Sequence, residues 1–187
     1  MKKRILCILA ACLLLGIVSA SAQNKMGMRM EVAEAETDHG EYSIFTYKQE
    51  NDSIGYYMSL GRTSDFLGAD ELLGMQVKNM DETVIWLGAT TDDVFAALDN
   101  LTALYDKDLD TTAEFKGRAV SGSGNLGEAN TVKCMVVKKP LGGKRLEFLF
   151  AVGNRQAHAY LTKSVVKELR MNFKIDVKLH PKRHQKK

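Results

Sequence analysis

The chain has 187 residues, with 26 basic and 23 acidic side chains, and three of the cations lie at positions 2–4. Once the first 22 residues are set aside, 23 charges of each sign remain, so composition excludes a strongly basic protein. A chain of the remaining length can bury roughly 70% of its unfolded surface, which is enough for one domain core.

The first 22 residues have the three parts of a secretory signal peptide. The cations at 2–4 precede an apolar run, 5–18, which is too short to cross a bilayer as a helix. Ala20 and Ala22 are the small residues that a signal peptidase accepts, which predicts cleavage before Gln23. We therefore expect an exported protein, periplasmic or secreted, with no transmembrane segment after cleavage.

Lipid anchoring is a second interpretation of the same segment. The residues from Leu9 to Cys12 resemble the lipobox of bacterial lipoproteins, in which the cysteine is acylated and becomes the first residue. Cleavage there would leave only about seven apolar residues before the cut and would place the leucines at 13–15 near the new N-terminus. We favour the cleaved signal peptide.

Three methionines alternate near the predicted N-terminus, at Met26, Met28 and Met30. Alternate strand residues point the same way, so this pattern is typical of the core face of a first strand. Three thioethers on one face would also suit Cu(I). Copper handling through these residues is therefore an alternative function, although we assign no metal ligands.

The middle of the chain predicts strands, because β-branched and aromatic runs alternate with Gly, Asn and Asp turns. Hairpins are expected over 42–62 and 72–87. Gly142 and Gly143 supply a turn between two later strands. The predicted strands cover 42–49, 54–62, 72–78, 83–87, 113–120, 131–139, 144–152 and 156–161.

Two segments have helical periodicity instead. A helix is expected over 92–105 behind Thr90 or Thr91 as the cap, and a second over 164–173. Their predicted buried stripes are Val94, Leu98, Leu101 and Tyr105 in the first helix, and Val165, Val166, Leu169 and Phe173 in the second.

These elements predict an α+β fold: a largely antiparallel sheet of hairpins with two amphipathic helices on one face. We place one domain over 23–177, followed by a basic tail over 178–187.

One glycine-rich motif resembles a dinucleotide-binding motif, but the residues that follow it do not have the pattern that such a site requires. Gly122 to Gly127 read G-x-G-x-x-G, and a dinucleotide site needs a helix to begin at the last glycine. A strand pattern follows Gly127 instead. We therefore predict a surface loop and no cofactor.

Charge is distributed unevenly along the chain. The segment 23–131 has 20 acidic and 8 basic residues, whereas 132–187 has 3 acidic and 15 basic. We favour strands from the two halves that interleave and neutralise each other. The alternative is a basic surface that meets an anionic partner.

The last ten residues, 178–187, carry five cations and no acid. Such a tail can bind an anionic ligand. It has no interleaved aromatic residues, so we expect no nucleic-acid partner. The candidate anion-binding residues are Lys182, Arg183, Lys186 and Lys187.

Catalytic candidates are few. Cys134, the one cysteine after the signal, alternates with Val132 and Val136 and is expected to be a buried hydrophobe with no disulfide. The histidines at 39, 158, 180 and 184 do not form a cluster by spacing, because Pro181 disfavours a helix across the last pair.

Aromatic residues offer one further hypothesis. Several tyrosines could form a flat platform for a sugar ring, while Trp86 is expected in the core. The platform candidates are Tyr42, Tyr47, Tyr56, Tyr57 and Tyr160.

The favoured function is a non-enzymatic binding or interaction module of a bacterial envelope. Its partner would be an anionic or glycan ligand or an envelope protein. The alternatives are a small exported hydrolase, whose site is assembled from distant residues, and copper handling.

Overall fold

The computed structural model describes residues 29–37, 40–48, 54–62, 82–120, 126–152 and 155–185. Within these residues the chain forms eight strands, two α-helices and a final 3-10 turn. In chain order they are β1 (Met30–Thr37), β2 (Gly40–Lys48), β3 (Ile54–Arg62), β4 (Glu82–Gly88), α1 (Thr91–Leu104), β5 (Thr112–Val120), β6 (Leu126–Lys138), β7 (Lys144–Val152), β8 (Arg155–Leu161), α2 (Lys163–Leu179) and the 3-10 turn Pro181–Arg183.

The strands form one antiparallel sheet in which each strand pairs with its sequence neighbours, from β1 at one edge to β8 at the other. Gly142 and Gly143 join β6 to β7 with φ angles of 92° and 82°, a left-handed conformation that strains other residues. The sheet curls, so that the Tyr42 hydroxyl on β2 donates to the carbonyl oxygen of Tyr160 on β8 at 2.5 Å. The predicted α+β fold with a largely antiparallel sheet is confirmed.

Most predicted strands agree closely with the structure, and β1 is the main exception. Its acidic residues disfavour a strand by propensity, yet Val32 and Ala35 are buried while Glu34 and Glu36 are exposed. β6 begins at Leu126, so a strand starts where a dinucleotide site would need a helix. The strand predicted over 72–78 lies outside the described residues, but the hairpin predicted over 72–87 is wrong, because β4 pairs with β3 on one side and with β5 on the other.

One side of each strand faces a main core, which we call the inner face. Both predicted helical stripes are buried in this core, and Thr90 caps α1 with Asp93 in a reciprocal capping box. Cys134 is also buried there, as predicted, and burial raises the pKa of its thiol to about 12. The thiol is therefore protonated and unreactive in the folded protein.

The opposite, outer face of β2–β4 carries a second buried cluster. Phe45 and Tyr57 lie opposite each other and stack at 6.1 Å, and Trp86 contacts Tyr57 at 5.0 Å, both between ring centroids. Tyr47, Val84 and Val120 complete the buried set, with Trp86 and Leu126 partly buried against it. Trp86 therefore belongs to this outer cluster and not to the main core.

An ion pair closes this outer cluster. Arg29 lies 4.0 Å above the Phe45 ring and donates to Glu82 with Nη1 and Nη2, at 2.5 and 3.2 Å. The Glu82 side chain is almost fully buried. Buried charges are tolerated when they are paired and hydrogen-bonded, as here.

The predicted interleaving of acidic and basic halves is wrong for the sheet. Strand order follows chain order, so the acidic first strands and the basic last strands occupy opposite ends. The helices bring the two halves together instead: Arg170 and Lys163 on α2 contact Asp99 and Asp106 at 2.7 and 3.0 Å.

α2 continues to Leu179, well beyond the predicted end at 173. Lys178 therefore belongs to the last turn of this helix, and Lys182 and Arg183 to the 3-10 turn that follows. The segment 178–185 is folded against the domain, since the side chain of His184 is only 4% exposed.

Candidate functional site

A groove of about 520 Å³ runs between the edge strand β1 and helix α2. The Asn172 side chain bridges the two elements by donating to the carbonyl oxygen of Glu34 at 2.7 Å. The groove is lined by Val32, Glu34, Glu36, Glu168, Asn172, Ile175, Asp176 and Leu179.

Local periodicity explains these lining residues. On α2, positions 168, 172, 175 and 179 repeat every three or four residues and so share one side of the helix. On β1, Glu34 and Glu36 are two residues apart and share one side of the strand. The groove therefore lies between an acidic edge strand, whose glutamates alternate with the buried Ala33 and Ala35, and a mixed face of the helix.

Three apolar residues of α2 are exposed beside this groove. Met171, Ile175 and Leu179 are 56%, 48% and 66% exposed, and each is one helical turn from the next. We call them the exposed stripe. Scattered single apolar residues are ordinary on protein surfaces, but a contiguous row indicates a contact site.

Three of the four carboxylates that line the groove have no cationic partner among the described residues. Among the described residues, Glu34, Glu36 and Glu168 form no salt bridge, and the carboxylate oxygens of Glu31 and Glu41 lie within 4.8 Å of those of Glu34. Helical periodicity places the exposed lysines of α2, at 167, 174 and 178, on the other side of the exposed stripe. The groove side is therefore negatively charged.

The C-terminal segment holds the fourth carboxylate of the groove in place. Asp176 is hydrogen-bonded to His184 Nε2 at 2.9 Å and to Arg183 Nη1 at 3.3 Å, and His180 lies 3.9 Å away. Spacing predicts no histidine cluster here, because Pro181 disfavours a helix across this pair. The structure instead gathers His180 and His184 around one aspartate.

His184 also anchors this segment to the core. Its Nδ1 is hydrogen-bonded to the Tyr56 hydroxyl at 2.9 Å, and its ring stacks on Tyr56 and meets Phe173 edge-on. Burial, with a smaller contribution from Asp176, raises the pKa of Tyr56 to about 12. The hydroxyl therefore stays neutral, and this cluster positions a side chain without supplying a reactive phenolate.

A second polar cluster lies on the outer face of β7 and β8. Glu147 Oε1 accepts from the Tyr160 hydroxyl at 3.0 Å and is hydrogen-bonded to His158 Nδ1 at 2.8 Å. The Arg145 guanidinium lies 3.6 Å above the Tyr160 ring. We call these four residues the β7–β8 cluster.

Neither histidine–carboxylate pair resembles a hydrolase site. In each pair the nearby hydroxyl belongs to a tyrosine, Tyr160 or Tyr56, and neither histidine hydrogen-bonds to a serine, threonine or cysteine in the described part of the chain. A nucleophile needs such a base within hydrogen-bond reach. The described residues therefore do not support the hydrolase alternative.

The predicted tyrosine platform is wrong. Tyr42 and Tyr56 are buried in the main core, and Tyr47 and Tyr57 in the outer cluster, while Tyr160 alone of the five is partly exposed. Period-two alternation sends adjacent tyrosines such as 56 and 57 to opposite faces, so they cannot share one platform.

The other predicted site residues do not converge. Lys182 is exposed, whereas Arg183 contacts Asp176. Met30 packs against the main core as part of β1. Ala20, Ala22, Gln23, Met26, Met28, His39, Lys186 and Lys187 lie outside the described residues.

No α-helix within the described residues has the length and apolar character needed to cross a membrane. No known family matches the chain, and no curated protein or solved structure is significantly similar to it.

Proposed function

We propose that this protein is an exported, non-enzymatic interaction module that binds a cationic, amphipathic segment of another protein in the groove between β1 and α2. One observation carries the proposal: the residues that line the groove combine exposed apolar side chains with carboxylates that form no salt bridge among the described residues. A segment with alternating Lys or Arg and apolar residues would satisfy both surfaces.

Apolar contact supplies the favourable free energy in this proposal. Ile175 and Leu179 line the groove and are about half exposed or more. Covering them removes apolar surface from water, which contributes roughly 25 cal/mol for each Å² buried. Non-directional contact of this kind accepts Leu, Ile, Val or Phe, so the partner's apolar positions are defined by spacing more than by identity.

The carboxylates supply the selectivity. Glu34, Glu36 and Glu168 attract Lys and Arg side chains and repel acidic segments, which discriminates among partners and speeds association. A second copy of this chain is a poor occupant of the groove, because its β1 edge would bring the same glutamates against these.

We infer that α1 and α2 cover the same, inner face of the sheet. The buried residues of both helices belong to one core cluster, and the salt bridge between Arg170 and Asp99 joins the helices. Because the buried side of α2 packs in that core, only the exposed stripe and the residues that flank it are available to bind a partner.

Export rests on the signal-peptide pattern, and it agrees with a disulfide-free domain stabilised by packing. N-terminal mass spectrometry of the protein recovered by cell fractionation tests it. A first residue at Gln23 is expected, whereas full-length chain in the cytoplasm would contradict export.

Calorimetry with two synthetic peptides tests the groove. The first alternates Lys and Leu over twelve residues, and the second replaces every Lys by Glu. We expect the purified protein to bind only the first, and added salt to weaken the complex.

Variants then locate the binding site. Ile175→Ser should weaken binding about tenfold, and Glu34→Gln, Glu36→Gln and Glu168→Gln about twofold to fivefold each. Leu141→Ser is the matched apolar control, because Leu141 is fully exposed in the β6–β7 turn. Three results would overturn the proposal. They are equal affinity for the two peptides, a loss of affinity in Leu141→Ser as large as that in Ile175→Ser, and binding to anionic lipid vesicles in place of the cationic peptide.

A further inference from the structure

Arg145 differs from the other arginines whose side chains the structure describes. Arg29, Arg170 and Arg183 donate to carboxylates, and Arg118 donates to the carbonyl oxygen of Gly127. Arg145 has no hydrogen-bond acceptor within the described ranges, and its Nε atom is buried without a partner. A native guanidinium left in this state calls for a physical explanation.

The guanidinium of Arg145 is nevertheless held in a defined plane. It stacks on Tyr160 at 3.6 Å, and the Tyr160 hydroxyl is itself fixed by Glu147 at 3.0 Å. His158 hydrogen-bonds to the same carboxylate oxygen and so fixes Glu147 in turn. Such a stacked arginine has already lost much of the side-chain freedom that binding would otherwise remove.

The hydrogen-bonding capacity of this cluster is only partly used. Of the Arg145 nitrogens, Nε alone is both buried and unpaired, so the terminal nitrogens reach solvent. Glu147 uses Oε1 for both of its bonds, which leaves Oε2 as an acceptor without a partner among the described residues. One open donor pair and one open acceptor therefore lie on the same sheet face.

Apolar residues flank these polar groups on the outer face. Strand register places Val137 opposite Arg145, Met135 opposite Glu147, and Leu149 opposite His158. All three apolar residues are partly exposed. They offer a surface for the apolar side of a ring.

The charge of the cluster narrows the ligand class. Within the cluster Arg145 carries one positive charge and Glu147 one negative charge, so a ligand with closely spaced phosphates, such as a nucleic acid or a multiply phosphorylated peptide, gains little. A ligand with one carboxylate per ring and several hydroxyls fits better. The guanidinium would hold the carboxylate in a bidentate pair, and Glu147 would accept from a hydroxyl.

We propose that the β7–β8 cluster is a binding site for an acidic saccharide of the uronic-acid type, anchored by the unpartnered guanidinium of Arg145. This site is separate from the groove, and it does not depend on the function proposed for the groove.

Titration with an oligogalacturonate, monitored by NMR chemical shifts, tests the site. The matched ligand is the same oligosaccharide with its carboxylates methyl-esterified, which removes each negative charge and adds only a methyl group. We expect saturable binding of the acid, with shifts centred on β7 and β8, and binding of the ester weakened about tenfold or more.

Two arginine variants complete the test. Arg145→Gln should weaken binding of the acid about tenfold or more without changing the melting temperature appreciably. Arg118→Gln is the control, because Arg118 lies on β5 and already has an acceptor. Three results would overturn the proposal. They are an absence of saturable binding, an equal loss of affinity for the acid in both variants, and a glutamate tetrapeptide that binds as tightly as the oligogalacturonate.

Discussion

Two arginines lie over aromatic rings on the outer face of the sheet, and their surroundings differ. Arg29 covers Phe45 at 4.0 Å and is paired with the buried Glu82. Arg145 covers Tyr160 at 3.6 Å with no carboxylate partner among the described residues, on a part of the face that is partly exposed.

The difference shows when such a stack is structural. Arg29 donates two hydrogen bonds to Glu82, and the Phe45 ring beneath it is fully buried. This stack of Arg29 on Phe45 therefore contributes to the fold. At Arg145 the stack orients the guanidinium but leaves its terminal nitrogens open. An arginine–aromatic contact therefore indicates a binding site only when the polar end remains unpaired.

The largest expected effect is a difference in stability between variants that remove the two rings, Phe45 and Tyr160. Phe45→Ala should lower the free energy of unfolding by about 3–5 kcal/mol, because Phe45 is fully buried in a close-packed cluster. Tyr160→Ala, on the open part of the face, should cost about 1 kcal/mol. Urea unfolding of both variants measures this, and equal costs would contradict the contrast.

The next effect concerns the carboxylate partner. Glu82→Gln should lower the free energy of unfolding by about 2–3 kcal/mol, because it leaves the partly buried Arg29 uncompensated. The double variant Arg29→Met, Glu82→Leu removes both charges and should recover most of that loss. A double variant as unstable as the single one would show that the aromatic packing, and not the ion pair, is being disturbed.

The smallest expected change in stability concerns a third arginine, Arg170. Arg170 lies 5.3 Å from the centroid of the Phe95 ring and is hydrogen-bonded to the exposed Asp99, and this hydrogen bond lowers the pKa of Asp99. A carboxylate whose pKa is lower in the folded state stabilises the fold above its unfolded pKa, and this stabilisation is lost as pH falls through the folded pKa.

An NMR titration of Asp99 checks this sign. In Arg170→Gln the pKa of Asp99 should return toward its ordinary value, with a change in stability of only a few tenths of a kcal/mol at neutral pH, because exposed pairs are screened by solvent. An unchanged titration would mean that the contact is absent in solution.

Elements with a clear hydrophobic period were predictable. The stripes of both helices, the burial of Cys134 and most of the described strands followed from spacing alone, because burial in this sheet depends on local alternation. β1 was not predicted beyond Met30, since its small apolar residues alternate with glutamates that lower strand propensity.

The candidate sites could not be predicted from spacing. The groove requires α2 to pack on β1, and the contact between Asn172 and Glu34 spans 138 positions. The last turns of α2 were missed because Lys178, His180 and Pro181 are typical of a solvated end. The β7–β8 cluster depends on strand register, which brings Glu147 opposite Tyr160.

The pairing of the first strand with the last helix has a consequence for biosynthesis. Each hairpin can form as soon as its second strand emerges, because strand order follows the chain. Among the described elements, β1 emerges well before the helix that packs on it, Lys163–Leu179. A nascent or truncated chain that lacks this helix would leave one strand edge uncovered, and such an edge is a target for proteases and a template for aggregation.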